Sequence, residues 1–235
     1  SGTLRVNIQN VSKLVGIFPH IRSGAGIISG KLKLSGTLDN LRYEGVIHWN
    51  QGDLAFDTWG LKLSGIHAIF RGTSQGLLDI NATGQAGQGH FKLTGSTNLK
   101  QFPIAAKLTL NGKNLTLMNT PDYYVTASPE IKLNLKNQKI QLTGDINIPA
   151  ADIRPNNFGA DVIYPSEDIV YVGQEKGKPV FYQINGTIHL QLGDDVKINT
   201  SGLTGQLKGK LSIYYSNHNP TSVIGKISLA SGQFE

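Results

Sequence analysis

Cysteine is absent from the 235 residues, which removes disulfides, thiolate metal sites and cysteine nucleophiles together and is consistent with an oxidising compartment. Long apolar runs are also missing: none approaches 18 residues, so the given sequence contains no transmembrane helix and no signal-peptide core. Charged residues are 16% and hydrophobic ones 39%, both below the usual content of a globular domain. Basic blocks are lacking too. The 22 Lys+Arg against 16 Asp+Glu leave a net charge of +6, but no aromatic ladder is interleaved with the lysines, so nucleic acid is not an expected partner and the charge reads as solubility.

Chemistry-bearing constellations are equally sparse. The six histidines, His20, His48, His67, His90, His189 and His218, never pair at ligand spacing, and no metal site is expected. Asp152, Asp161, Glu167, Asp168 and Asp194-Asp195 read as solvated loop charge rather than acid-base or cation-binding carboxylates. Gly84-Gln85-Ala86-Gly87-Gln88-Gly89 imitates a phosphate loop, but no helical pattern follows it, so it reads as a turn. No Ser-His-Asp arrangement is suggested by spacing. The expectation is a protein that is not an enzyme and takes no cofactor.

What is present in excess is glycine, 28 of 235 residues, about 12% where roughly 7% is usual. Period-two writing fills almost everything after Gly26. Leu32, Leu34 and Leu38 alternate with Lys31, Lys33 and Thr37; Leu41, Tyr43, Ile47 and Trp49 alternate with Arg42, Glu44 and His48. An imperfect repeat, apolar-x-apolar-x-Gly-x-apolar, recurs in KLKLSGTL, GHFKLTGSTNL, KIQLTGDINI, FYQINGTIHL and GQLKGKLSI. Turn signals at Asp39-Asn40, Gln51-Gly52-Asp53, Asn111-Gly112-Lys113-Asn114, Lys136-Asn137-Gln138 and Gly193-Asp194-Asp195 divide these runs into roughly a dozen strands, mostly antiparallel. One short helix is expected over Asn10–Phe18, where Val11, Leu14, Val15 and Phe18 recur at helical spacing before Pro19. Residues 1–235 read as one repetitive β domain, with an irregular stretch at about 149–179 carrying Pro149, Pro155, Pro165 and Pro179 as a loop crossing or a break between halves. The chain starts at Ser1-Gly2 without Met and stops within a strand pattern, so it is expected to be a fragment of a longer protein.

The glycines keep phase with the apolar set. Gly36, Gly45, Gly95, Gly112, Gly144, Gly186, Gly209 and Gly225 all fall on the hydrophobic parity of their runs. Removing side chains from the inner face of successive strands lets a sheet bend toward that face. The predicted fold is therefore all-β: an elongated, creased antiparallel sheet, a β-taco or open-barrel trough, with an apolar interior groove. Packing relief between two sheets of an ordinary sandwich is the plainer alternative for the same glycines. The expected lining is Leu32, Leu34, Leu38, Ile47, Phe91, Leu93, Ile104, Leu108, Leu110, Ile131, Leu133, Leu135, Leu142, Ile146, Ile148, Ile184, Ile188, Leu190, Leu207, Leu211 and Ile213. With aromatics at only 8%, such a groove suits an amphipathic ligand whose acyl chain gains about 0.8 kcal/mol per buried methylene.

KLKLSGTL followed by LRYEGVIHWNQGDLAF, then SPEIKLNLKNQKIQLTGDINIPAADI and PSEDIVYVG, resembles the C-terminal periplasmic region of the TamB family. The matching positions are Ser128, Pro129, Ile131, Leu133, Leu142, Gly144, Ile146, Ile148, Pro149 and Ala151, then Ser166 through Asp168, Ile169, Val170, Val172 and Gly173. The resemblance implies an AsmA-like periplasmic protein whose full length is anchored in the inner membrane outside these residues. It further implies phospholipid movement between the two membranes, or assistance to outer-membrane protein assembly with a TamA-like β-barrel partner. A scaffold acting through exposed strand edges is thus the alternative to a lipid conduit. A membrane-spanning barrel is disfavoured by the scarcity of aromatic girdles, and a polysaccharide-acting β-helix by the few carboxylates on the strand faces.

Overall fold

Alternate side chains of an extended chain point to opposite sides, and in most runs here only one of the two sets is apolar, so each run is written as a half-buried strand. The computed structural model describes residues 1–12, 20–37, 40–100, 103–155, 182–200 and 202–234. Its strands are β1 (Gly2–Ile8), β2 (Ile21–Thr37), β3 (Asn40–Phe56), β4 (Lys62–Gly72), β5 (Leu77–Ala86), β6 (Gly89–Asn98), β7 (Ala105–Lys113), β8 (Leu115–Asn119), β9 (Tyr123–Lys136), β10 (Lys139–Ile153), β11 (Gln183–Thr200), β12 (Leu203–Ser216) and β13 (Asn219–Phe234). All belong to one open sheet in the order β1-β2-β3-β4-β5-β6-β7-β9-β10-β11-β12-β13, with β8 paired to β9 beside that path. The expected helix falls mainly on residues 13–19, outside the described ones. So do Leu38, Asp161, Glu167, Asp168 and the Ser166–Gly173 motif.

Sequential strands are antiparallel neighbours with two exceptions: β7 and β8 are not paired to each other but both to β9, and β10 and β11 are paired in parallel. Parallel strands cannot be joined by a tight turn and need a connection of a dozen or more residues. The chain between Ile153 and Gln183 has that length. Irregularity begins later than the prolines suggest, because β10 runs on through Pro149. A bulge between Ile148 and Ala150 takes up the residue that has no N–H to offer the ladder.

Two expected turns are instead irregularities inside long strands. Gln51-Gly52-Asp53 lies within β3, where Gln51 has φ 52° and the register with β4 shifts on both sides of Gly52. Gly193-Asp194-Asp195 lies within β11, where pairing to β12 breaks after Leu192 and resumes at Lys197. Turn-forming residues are tolerated there because the ladders resume on either side and absorb the extra residues as bulges. Asn111, Gly112 and Lys113 finish β7, and the corner to β8 is made by Asn114 at φ 52°. Lys136-Asn137-Gln138 is a tight hairpin as expected, with Asn137 and Gln138 at φ 50° and 62°, the paired positive values of a type I′ turn.

The solvent-free core is small. Among the described residues the buried apolar side chains are Val11, Ile66, Ala68, Ala82, Ala86, Leu115, Ala127, Pro129, Ala151 and Val196, and no polar or charged side chain is buried. The main cluster is Ile66, Ala68 and Ala82, against which Trp49, Leu54, Leu63, Phe70, Phe91 and Leu93 pack. Large rings thus settle on small residues at one part of the sheet, between β3 and β6.

Candidate functional site

Residues paired across a ladder share a face, so the strand registers trace the apolar set across the whole sheet. One row reads Ile8, Ile28, Trp49, Ala68, Ala82, Leu93, Leu110, Ile131, Gly144, Ile188, Ile213, Val223, from β1 to β13 without a polar member. At about 4.8 Å per strand this is a stripe of roughly 50 Å. The adjacent row runs Gly30, Ile47, Phe70, Ile80, Gly95, Leu108, Leu133, Leu142, Gly186, Tyr215.

The sequence-predicted lining falls on this face. Leu32, Leu34, Ile47, Phe91, Leu93, Leu108, Leu110, Ile131, Leu133, Leu135, Leu142, Ile146, Ile148, Ile184, Ile188, Leu190, Leu207, Leu211 and Ile213 are all half-buried strand residues. Ile104 stands apart: it precedes β7 and is 38% exposed. Half-burial follows from the topology. Every described strand belongs to the one sheet, so among the described residues no second sheet covers the face, and its side chains shield mainly one another.

The same face holds residues that sequence reasoning left out of the lining. Leu4, Val6 and Ile8 of β1 are paired to Leu32, Gly30 and Ile28; Val223, Ile227 and Leu229 of β13 are paired to Ile213, Gly209 and Leu207. Alternation in GTLRVNI and SVIGKISL carried that signal. Ala68, Ala82, Ala127 and Ala151 gave none, because an alanine contributes too little hydropathy to mark a core.

The glycines sit beside bulky side chains of neighbouring strands. Gly45 is paired to Leu32; Gly95 lies between Ile80 and Leu108, and Gly112 is paired to Phe91, while Gly36 is in backbone register with position 41. Gly144 lies between Ile131 and Ile188, Gly186 between Leu142 and Tyr215, Gly209 between Leu192 and Ile227, and Gly225 is paired to Leu211. They are staggered over several rows rather than aligned in one. At Gly95 the Leu108 Cδ2 atom stands 2.6 Å from where a Cβ would be, so the neighbour's side chain occupies the vacated space. Gly45 shows the tightest approach: φ is 151°, and a Cβ would lie 2.0 Å from the Lys31 carbonyl oxygen.

Polarity is sorted just as cleanly. Traced through the registers from β2 to β13, the apolar face carries no charged side chain among the described strand residues. Thr97 is on it, and its hydroxyl donates to the Ala105 carbonyl at 2.9 Å. Tyr43, paired to Leu34, donates its hydroxyl to the Gly76 carbonyl at 2.8 Å, and burial pushes its pKa up. Ion pairs are exposed: Lys197 with Asp195 at 2.6 Å, Lys208 with Asp194 at 2.9 Å, Arg22 with Asp57 at 3.5 Å, and Arg154 with Asp152. The hydrogen bond from Arg154 is the main cause holding the Asp152 carboxyl below its usual range, and Lys208 acts likewise on Asp194.

No group of three or more His, Asp or Glu side chains able to hold a metal occurs among the described residues. What the arrangement offers is therefore a surface: uncharged, about twelve strands long, and partly wetted. No solved structure matches the chain. A family model described as the TamB C-terminal domain matches residues 75–235, from just before β5 to the C-terminus.

Proposed function

The chain belongs to the TamB family, and from that premise we propose that its apolar face shields phospholipid acyl chains in transit between the inner and outer membranes. Membership ties the chain to the translocation and assembly module and to a periplasmic region. The observation that carries the lipid reading is the uninterrupted uncharged face running from β1 to β13, half-buried and, among the described residues, uncovered by a second sheet. An acyl chain laid on it exchanges water contact for apolar contact at about 0.8 kcal/mol per methylene, while the zwitterionic or anionic head group stays wet at the margin.

Native mass spectrometry of the purified 235-residue chain tests this, with phospholipid adducts as the expected result. Leu133→Asp and Ile188→Asp place a charge in the middle of the face and are expected to remove the adducts while circular dichroism still reports a sheet. Adduct-free wild-type protein, or folded variants that keep their lipid, would overturn the reading.

A second reading, a scaffold acting with a TamA-like barrel partner, is favoured by a different observation. Among the described residues β1 and β13 each have one unpaired edge, and β13 exposes Val223 at 56%, Ile227 at 47% and Leu229 at 45%. An edge of that kind is a template for strand addition.

A further inference from the structure

The polar side of the sheet has an open concavity of about 660 Å³ where β5, β6 and β7 end. Its polar lining is Thr83, Gln85, His90, Lys92, Asn111 and Lys113, all exposed. The registers place them together: His90 is paired to both Gln85 and Lys113, and Lys92 to both Thr83 and Asn111. Two lysines consequently occupy diagonal positions on adjacent strands, an arrangement in which like charges repel. The concavity contains no carboxylate. Glu130, paired to Asn111 on β9 and so diagonal to Lys113, is the nearest in register and forms no ion pair with a described residue.

None of the six side chains has a hydrogen bond or ion pair to any described residue. That contrasts with a similar hollow between β10 and β13, where Arg154 and Lys197 are neutralised by Asp152 and Asp195. Two ammonium groups, an imidazole, two amide NH2 groups and a hydroxyl, gathered with no carboxylate in the lining, offer donors to a compact oxyanion. We propose that this concavity binds a phosphate-type oxyanion, the chemistry shared by a phospholipid head group and a free phosphate ester. It lies on the face opposite the apolar one and does not depend on lipid being carried there.

Titration of the 235-residue chain with sodium phosphate, against sodium chloride of equal ionic strength, is expected to show saturable binding by calorimetry. Lys92→Gln/Lys113→Gln should weaken it by about tenfold or more, whereas Lys132→Gln, which removes a lysine of the same polar face outside the concavity, should leave it unchanged. Both lysines are exposed and unpaired, so the thermal midpoint of the double variant should match that of the wild type; Lys113→Gln alone provides the same comparison. Co-sedimentation with phosphatidylglycerol vesicles, competed by phosphate, would identify a head group as the source, and phosphate binding without co-sedimentation a soluble ester. Folded Leu133→Asp should retain phosphate binding, which separates this site from the acyl-chain reading. Absence of saturable phosphate binding, or equal weakening by Lys132→Gln, would overturn the proposal.

Discussion

Gly144 and Gly186 hold equivalent places in the sequence pattern, yet their surroundings differ. A Cβ on Gly144 would stand 2.2 Å from the Glu130 carbonyl oxygen, backbone that cannot step aside. One on Gly186 would meet nothing nearer than 3.6 Å, an ordinary contact. Gly144→Ala is accordingly expected to destabilise by about 1–3 kcal/mol through overpacking, and Gly186→Ala to be neutral or to stabilise by about 0.5 kcal/mol by restricting the unfolded chain. Thermal unfolding followed by circular dichroism checks both; equal effects would contradict the difference in their surroundings. Protonation acts at the same scale. The folded-state pKa of Asp152 is depressed by Arg154, so its contribution is present above the unfolded value, ~3.9, and is lost as pH falls through the lower folded one. The difference in thermal midpoint between wild type and Asp152→Asn should therefore be constant from neutral pH to about 5 and shrink in stronger acid. The pair is exposed, so the difference should be small.

At the scale of the element, β13 is written like an interior strand. Its sequence NPTSVIGKISLASGQF has one charged residue, Lys226, and a single proline near its start. Edge strands usually discourage further pairing with charge, proline, bulges or short length; β13 is 16 residues long. If it accepts an added strand, a peptide of alternating apolar and polar residues taken from a TamA-like barrel should bind by fluorescence polarisation. Binding should be lost in Ile227→Lys, which places charge on the apolar side of that edge. Retained binding would argue against the scaffold reading at this edge. The long strands also explain why two turn signals misled: within β3 and β11, hydrogen bonding from both neighbours outweighs the local preference of Gly52 and Gly193 for chain reversal.

For the whole molecule, the decisive property is an apolar face that extends through every strand of the main path and is not closed by a core. That face is legible in the primary structure, because period-two alternation assigns each side chain to one side of a strand before any partner is known. Thus Leu133 and Ile188 could be placed on the oily side and Lys132 on the polar side from the sequence. Strand pairing was only partly legible. The antiparallel neighbours followed from short turns, but the parallel joining of β10 to β11 depends on where a long connection returns the chain, which no local pattern encodes. Tertiary structure alone decided which bulky residue stands beside each glycine, since register is a relation between strands: Leu108 beside Gly95, and Ile131 and Ile188 flanking Gly144. It alone gathered His90, Lys92 and Lys113 into a single concavity. Lys113 lies more than twenty residues beyond them in the chain, and only the pairing of β6 with β7 brings those charges together in a lining that holds no carboxylate.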